Sequence, residues 1–287
     1  MFLPNFEHTR IPVDGVTINV VHAGVGPPVL LLHGYPQTHV MWHRVAPVLA
    51  ERYTVVCPDL RGCGDSDVPE SDREHMSYSK RAMARDQVGV MQALGFERFS
   101  VVGHDRGARV AHRMALDHPE RVAGLALLDI VPTTTVFDTV NRVVATGYYH
   151  WFMMLQPELP ERLIGGAAEF YVRWSLERWG ATPGALTDEA IAEYVRCFDA
   201  ATIHATCEDY RAGAGVDLEH DRGDIERKIE CPLLVLYGRG LGALYDVPAV
   251  WRERAVDVRE KAMDCGHFIA EERPDETTAE LLAFLSE

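Results

Sequence analysis

Asp105 stands at the centre of Gly103-His104-Asp105-Arg106-Gly107, between the apolar run Phe99–Gly103 and a helical pattern that begins at Ala108. Strand, turn of small residues and helix form the context of a nucleophile elbow, which lifts its central side chain above a sheet. An aspartate at a helix start is also a good N-cap, and that is the plainer reading of this position. As a nucleophile, a carboxylate sets the reaction class. It is weaker than an alkoxide and suits displacement of a leaving group at saturated carbon, or the opening of an epoxide. Either attack leaves an ester on the enzyme, which water activated by a histidine can hydrolyse. His267, in Gly266-His267-Phe268 ahead of the last helical pattern, occupies the expected place in chain order.

Arg106 and Arg109 are three residues apart at the start of the same helix, so both can face the side of Asp105. Two guanidinium groups there are costly unless an anion sits between them. They can grip a carboxylate through charge-assisted hydrogen bonds, leave its α-carbon facing Asp105, and hold Asp105 ionised. Pairing with nearby acids is the plainer alternative. The acid that orients His267 has two candidates: Asp129, after Leu125–Leu128, and Asp246, beyond the following strand.

The elements that must position these groups follow from periodicity. Asp14-Gly15 between Arg10–Val13 and Val16–His22 predicts a hairpin. The continuous apolar run Pro28–Leu32, with Thr54–Cys57, Phe99–Gly103, Val122–Ile130, Pro232–Tyr237 and Val256–Ala262, predicts buried strands. Helical patterns at Val40–Arg52, Tyr78–Leu94, Ala108–His118 and Pro274–Leu285 alternate with them. That alternation predicts an α/β fold: a mostly parallel eight-stranded sheet with helices on both faces. After Pro132 the alternation stops. Residues 133–215, rich in Trp, Tyr, Met and Arg and helical over Ala167–Trp179 and Glu189–Asp209, form a helical cap inserted after the sixth strand. Residues 1–132 and 216–287 then make up the two parts of the core.

The 287 residues carry 28 Lys+Arg against 43 Asp+Glu, a formal charge of −15. No basic footprint exists for nucleic acid or an anionic membrane, so neither is an expected partner. No apolar run is long enough to span a bilayer, and no signal peptide is visible at Met1–Arg10. The six cysteines contain no C-x-x-C pair and read as reduced thiols of a cytoplasmic protein. No cluster has metal-ligand spacing, and Gly238-Arg239-Gly240-Leu241-Gly242 lacks the Lys-Ser/Thr of a phosphate loop. The expectation is therefore no cofactor and no metal.

His33-Gly34-Tyr35-Pro36-Gln37-Thr38, Gly103-His104-Asp105-Arg106-Gly107-Ala108-Arg109 and Cys207-Glu208-Asp209-Tyr210-Arg211-Ala212-Gly213 together resemble the fluoroacetate (haloacetate) dehalogenases of the α/β-hydrolase superfamily. The resemblance covers nearly the whole chain. The arginine pair is its most specific part, because related epoxide hydrolases and haloalkane dehalogenases commonly carry Trp directly after the nucleophile. It implies an α/β-hydrolase fold that converts a short 2-haloacid to the 2-hydroxy acid and halide, commonly as a homodimer. It implies Asp105, His267 and Asp129 as catalytic residues, Arg106 and Arg109 on the carboxylate, and His150, Trp151 and Tyr210 on the halide. It also implies an oxyanion hole from backbone N–H groups near Tyr35 and Arg106. Read from the residues alone, His150, Trp151 and Tyr210 are core or interface positions; Trp174 and Trp179 read as core packing, with the shaping of substrate entry as the alternative; His39, His43 and His112 read as packing or surface residues. The Gly238–Gly242 run departs from the Trp-Gly opening often found there in related hydrolases. The rival chemistry is an epoxide hydrolase, with Tyr148, Tyr149 and Tyr210 as candidate acids.

Overall fold

Runs such as Pro28–Leu32 offer no polar face, so they are stable only when covered on both sides. In the computed structural model, which describes residues 2–287, eight strands form one sheet in the order β1-β2-β4-β3-β5-β6-β7-β8. They are β1 (Glu7–Val13), β2 (Val16–Ala23), β3 (Pro28–Leu32), β4 (Thr54–Pro58), β5 (Phe99–His104), β6 (Val122–Leu128), β7 (Leu233–Tyr237) and β8 (Val258–Ala262). The β1–β2 hairpin turns at Asp14-Gly15, and β2 pairs antiparallel with β4; every later pairing is parallel. The central strands β3 to β7 are buried almost throughout, whereas edge strand β8 carries Arg259, Glu260 and Lys261. Charge on an edge strand discourages pairing with another chain.

Register decides where the chemistry sits. Leu32 pairs with Gly103, His104 with Leu128, and Leu128 with Leu236, so β3, β5, β6 and β7 end at one level. The loops after these strands carry His33 to Gln37, Asp105, Asp129 and Gly238. The chain also crosses from β4, on one side of β3, to β5 on the other. That switch opens a crevice at the carboxyl ends of β3 and β5, the usual ligand position in an open α/β sheet.

Helices α1 (Ala46–Leu49), α2 (Lys80–Ala93) and α3 (Asp105–Asp117) follow β3, β4 and β5. The pattern over Val40–Arg52 resolves into a 3-10 turn, His39–Trp42, and the four-residue α1. Between β6 and β7 lie only helices, from Thr133–Asp138 to Val216–Gly223, and they roof the carboxyl end of the sheet. The single helix expected over Glu189–Asp209 is two, Asp188–Arg196 and Ala200–Ala214. Asp199 breaks it: its side chain accepts from the Thr202 N–H and starts a new helix. The Gly238–Gly242 run enters a short helix, Arg239–Leu244.

Candidate active site

The turn from β5 into α3 is tight, and its glycines are required sterically. A Cβ on Gly103 would lie 2.6 Å from the Ala108 Cα, and one on Gly107 would collide with the His33 carbonyl. Asp105 takes φ +45°, a left-handed conformation that costs an L-residue roughly 1–2 kcal/mol. Its carboxylate accepts the Tyr35 N–H at 3.0 Å, which fixes one oxygen and leaves the other toward His267. Burial opposes the Asp105 charge, but His267, His104, Arg106 and Arg109 hold its pKa well below the usual carboxylate range. Asp105 is an ionised carboxylate aimed into the crevice.

His267 Nδ1 lies 2.6 Å from Asp129 Oδ2, and the Gly238 N–H donates to the other Asp129 oxygen at 2.7 Å. His267 Nε2 is 3.9 Å from Asp105 Oδ2, beyond hydrogen-bond reach. Burial pushes the His267 pKa down, yet the hydrogen bond and charge of Asp129, with Asp105, raise it above the ordinary value. His104 is pushed down to about 4, by burial first and by His267 second. It is therefore neutral near pH 7, and its Nε2–H donates to the His267 carbonyl at 2.8 Å. Asp246 is elsewhere, capping helix Val247–Arg252 through the Ala249 N–H.

The two arginines differ. Arg106 Nε is 2.5 Å from Asp209 Oδ2, and its Nη2 donates to the Asp209 carbonyl at 2.9 Å. Burial opposes its charge, but Asp209 raises its pKa above the normal value. Lys80 Nζ contacts the same carboxylate and lies 3.6 Å from Asp217. Arg109 has only neutral partners, the Val131 carbonyl at 3.0 Å and Thr133 Oγ1 at 2.9 Å. Among the described residues no carboxylate pairs with it, and burial together with Arg106 lowers its pKa. It is a buried cation with no carboxylate in contact among the described residues, and Asp105 offsets its charge only through space.

A cavity of about 220 Å³ is lined by Asp105, Arg109, Asp129, His267, Tyr35, Tyr148, His150, Trp151, Tyr210, Trp179 and the rim residues Gly147, Arg178, Gly240, Leu241, Leu244 and Gly266. Above Asp105 the His150 and Tyr210 rings stand 5.7 Å apart, and those of Trp151 and Tyr210 5.8 Å. His150 Nδ1 and the Tyr210 hydroxyl are buried and unpartnered. Burial takes the His150 pKa down to about 3 and raises that of Tyr210 well above 10, so both stay neutral with a proton to donate. The guanidinium carbon of Arg109 lies 4.6 Å from the Trp151 ring centre, and that of Arg106 4.2 Å from Tyr210. An anion-sized space ringed by a carboxylate, a free cation and neutral donors suits displacement on an acid.

Residues 27–274 match the α/β hydrolase fold family. The chain is 47% identical to a fluoroacetate dehalogenase of Burkholderia sp, covering 98% of this chain and 94% of that protein. It is 34% identical to a soluble epoxide hydrolase of Corynebacterium sp. (strain C12), over 93% of each chain. The solved structure of ALR0039 from Nostoc sp PCC 7120, assigned to the α/β hydrolases, superposes with a TM-score of 0.98 at 57% identity over 100% of both chains. The chain belongs to the haloacetate dehalogenase family of the α/β hydrolases. No helix of this hydrolase, among the described residues, is long and apolar enough to cross a membrane.

The hydrolase brings Asp105, Asp129, His267, Arg109, His150, Trp151 and Tyr210 to one cavity. Arg106 departs from the expected symmetry: its side chain turns to Asp209 on helix Ala200–Ala214, so the pair does not face the cavity equally. Trp179, read as core, lines the cavity and lies against His150 with ring centres 4.5 Å apart and planes tilted by 38°, whereas Trp174 is exposed. Tyr148 lines the cavity and Tyr149 does not. The Gly238–Gly242 run, singled out in the sequence, brings Gly240 and Leu241 to the cavity; sequence reasoning missed Arg178 and Leu244 and gave Asp209 and Lys80 no role. Asp209 lies inside a motif quoted for the resemblance, but its partner is 103 residues away. Glu161, His204 and Glu208 come close enough to suggest a cation site, yet Arg211 already bridges Glu161 and Glu208 at 2.8 and 2.6 Å.

Proposed function

We propose that this hydrolase converts a short 2-haloacid, such as fluoroacetate or chloroacetate, to the 2-hydroxy acid and halide. One observation carries the reading: Arg109 is a buried guanidinium without a carboxylate partner, beside an ionised Asp105. An unneutralised buried charge is costly, and a substrate carboxylate is the ligand that relieves it. Arg109 then holds that carboxylate, with Arg106 adding its charge from the Asp209 pair, and the α-carbon faces Asp105.

Asp105 attacks the α-carbon. A C–O bond forms, the carbon–halogen bond breaks, and the halide leaves with the electron pair. His150, Trp151 and Tyr210 donate N–H, N–H and O–H to it as its charge develops. His267, oriented by Asp129, takes a proton from water, and the hydroxide adds to the ester carbonyl of Asp105. The Tyr35 N–H, already on Asp105, and the Arg106 N–H receive the oxyanion. The 2-hydroxy acid leaves with the proton from His267, and Asp105, left as the free acid, returns to its carboxylate by releasing the second proton of the water to solvent. In this reading the helical segment 133–215 is the cap that supplies the halide donors, and the active species is a homodimer in the cytoplasm.

Two cap tyrosines, Tyr148 and Tyr210, line the same cavity, and that observation favours epoxide opening as the second reading. Halide release from fluoroacetate and chloroacetate, with Asp105→Asn as control, decides between them. Release that vanishes in the variant supports the haloacid reading. No release from either acid, with turnover of a neutral epoxide, overturns it.

A further inference from the structure

Glu272 lies on the short helix Ile269–Glu272 that follows the His267 loop, and it is buried. Its carboxylate accepts four backbone N–H groups. Ala181 and Thr182 donate to Oε2 at 2.9 Å each, Gly266 donates to Oε2 at 3.0 Å, and Phe268 donates to Oε1 at 3.0 Å. Two of these donors flank His267. The other two belong to the turn that leaves helix Ala168–Trp179, whose last residue is the cavity wall Trp179. Between the two pairs, the His267 N–H donates to the Trp179 carbonyl at 3.0 Å.

A carboxylate that only caps its own helix would not reach a second segment 90 residues away. This one collects donors from two loops whose backbones pack closely at Gly266 and Trp179, and both loops end at the cavity. Charge-assisted hydrogen bonds to several converging N–H groups hold a loop more tightly than neutral ones. The other constraints on His267 are Asp129 at Nδ1, His104 at its carbonyl and the single hydrogen bond from its own N–H to the Trp179 carbonyl. Glu272 adds four charge-assisted bonds to that one neutral tie between the loops.

We propose that Glu272 is a positioning residue for the hydrolytic half of the reaction: it locks the His267 loop to the Trp179 wall, so that the imidazole and the water it activates stay aligned with the ester on Asp105. This rests on the haloacid reading for the identity of the ester. Formation of that ester needs only Asp105, the arginine and the halide donors, so the first half should be nearly independent of Glu272.

The test compares Glu272→Gln with the wild type in rapid-mixing halide release from chloroacetate. The glutamine keeps the volume, but its NH₂ opposes N–H donors and its neutral oxygen weakens the rest. The expected result is a retained first-turnover burst of halide with steady-state turnover lowered about 10- to 100-fold, the range typical of lost outer-shell support, and a carboxymethyl adduct on Asp105 by mass spectrometry. Glu272→Asp, which keeps the charge on a shorter stem, should recover part of the loss and serves if the glutamine variant does not fold. Equal loss of burst and steady state, or full turnover in both variants, overturns the proposal.

A second readout uses no haloacid. His267 faces Asp105, Asp129, His104, His150 and Glu272, and only the last is changed. NMR titration of the His267 ring should move to lower pH in Glu272→Gln, and an unmoved titration counts against the proposal. A wild type that releases no halide overturns the haloacid reading, while this titration still decides the role of Glu272.

Discussion

The Asp209 carboxylate sits 2.5 Å from Arg106 Nε, so of the two arginines beside Asp105 one is already neutralised and the other is not. The two should therefore respond differently to mutation. Arg109→Gln removes the free counter-charge for the substrate. Loss of one partner from a buried charge pair costs about 2–5 kcal/mol, so kcat/KM for chloroacetate should fall between roughly 30-fold and roughly 4,000-fold. Neutral chloroacetamide should lose far less, and steady-state kinetics on both substrates checks the difference.

Asp209→Asn strands Arg106 in a buried environment and leaves Lys80 with Asp217 alone, 3.6 Å away. Breaking a buried pair from one side destabilises by about 3–5 kcal/mol. Urea denaturation should register a loss of that size, larger than for Arg109→Gln, which has no carboxylate partner to abandon.

The histidine must be neutral to take a proton from water. Its pKa is raised in the folded enzyme, so kcat, which contains the hydrolysis of the ester, should fall on the acid side with a midpoint above 6.5. Asp105 adds no acid limb in the working range, because its pKa is depressed. Asp129→Asn should lower the rate and move the acid limb to lower pH. A pH–rate profile whose limb stays in place, or moves upward, would rule out Asp129 as the source of the shift.

Glu271 is fully buried against Gln37 and Tyr194, and burial raises its pKa from 4.5 to about 8. The folded state thus holds this proton more tightly than the unfolded chain does. Stability contributed by the protonated form is complete below about 4.5 and lost as pH rises toward 8, with a slope of at most about 1.4 kcal/mol per pH unit. Glu271→Gln should flatten the pH dependence of the urea midpoint across that interval.

Arg178 lines the cavity rim, is exposed and has no ion-pair partner among the described residues, on a chain of net charge −15. Arg178→Gln should lower kcat/KM for haloacids at low salt and leave kcat unchanged. The deficit should close as added salt shortens the screening length.

Much of the scaffold was legible because its signals are local. Apolar runs mark β3 to β7, Asp14-Gly15 marks the hairpin, and the glycines around Asp105 mark a turn that no Cβ could enter. The motif singled out Asp105 and His267 for the same reason. The choice between Asp129 and Asp246 was open from the residues, since both follow strands; the parallel register of β6 and β7 brings the first to His267. What escaped was tertiary. Asp209, Lys80 and Glu272 read as ordinary helix charges, and each acquires meaning only from a partner more than 80 residues away. The break at Asp199 was hidden because its flanks keep helical periodicity on both sides.

The helix Ala200–Ala214 is riveted to the core along its length: Asp209 to Arg106 and Lys80, Glu208 to His75 and Ser71. Swinging it away would expose several unpaired charges at once, far too steep a penalty to be met on every turnover. A way past Gly147, Arg178, Gly240 and Leu244, exposed or half-buried residues with small or flexible side chains, needs none of these pairs broken. The roof of this chamber is a fixture.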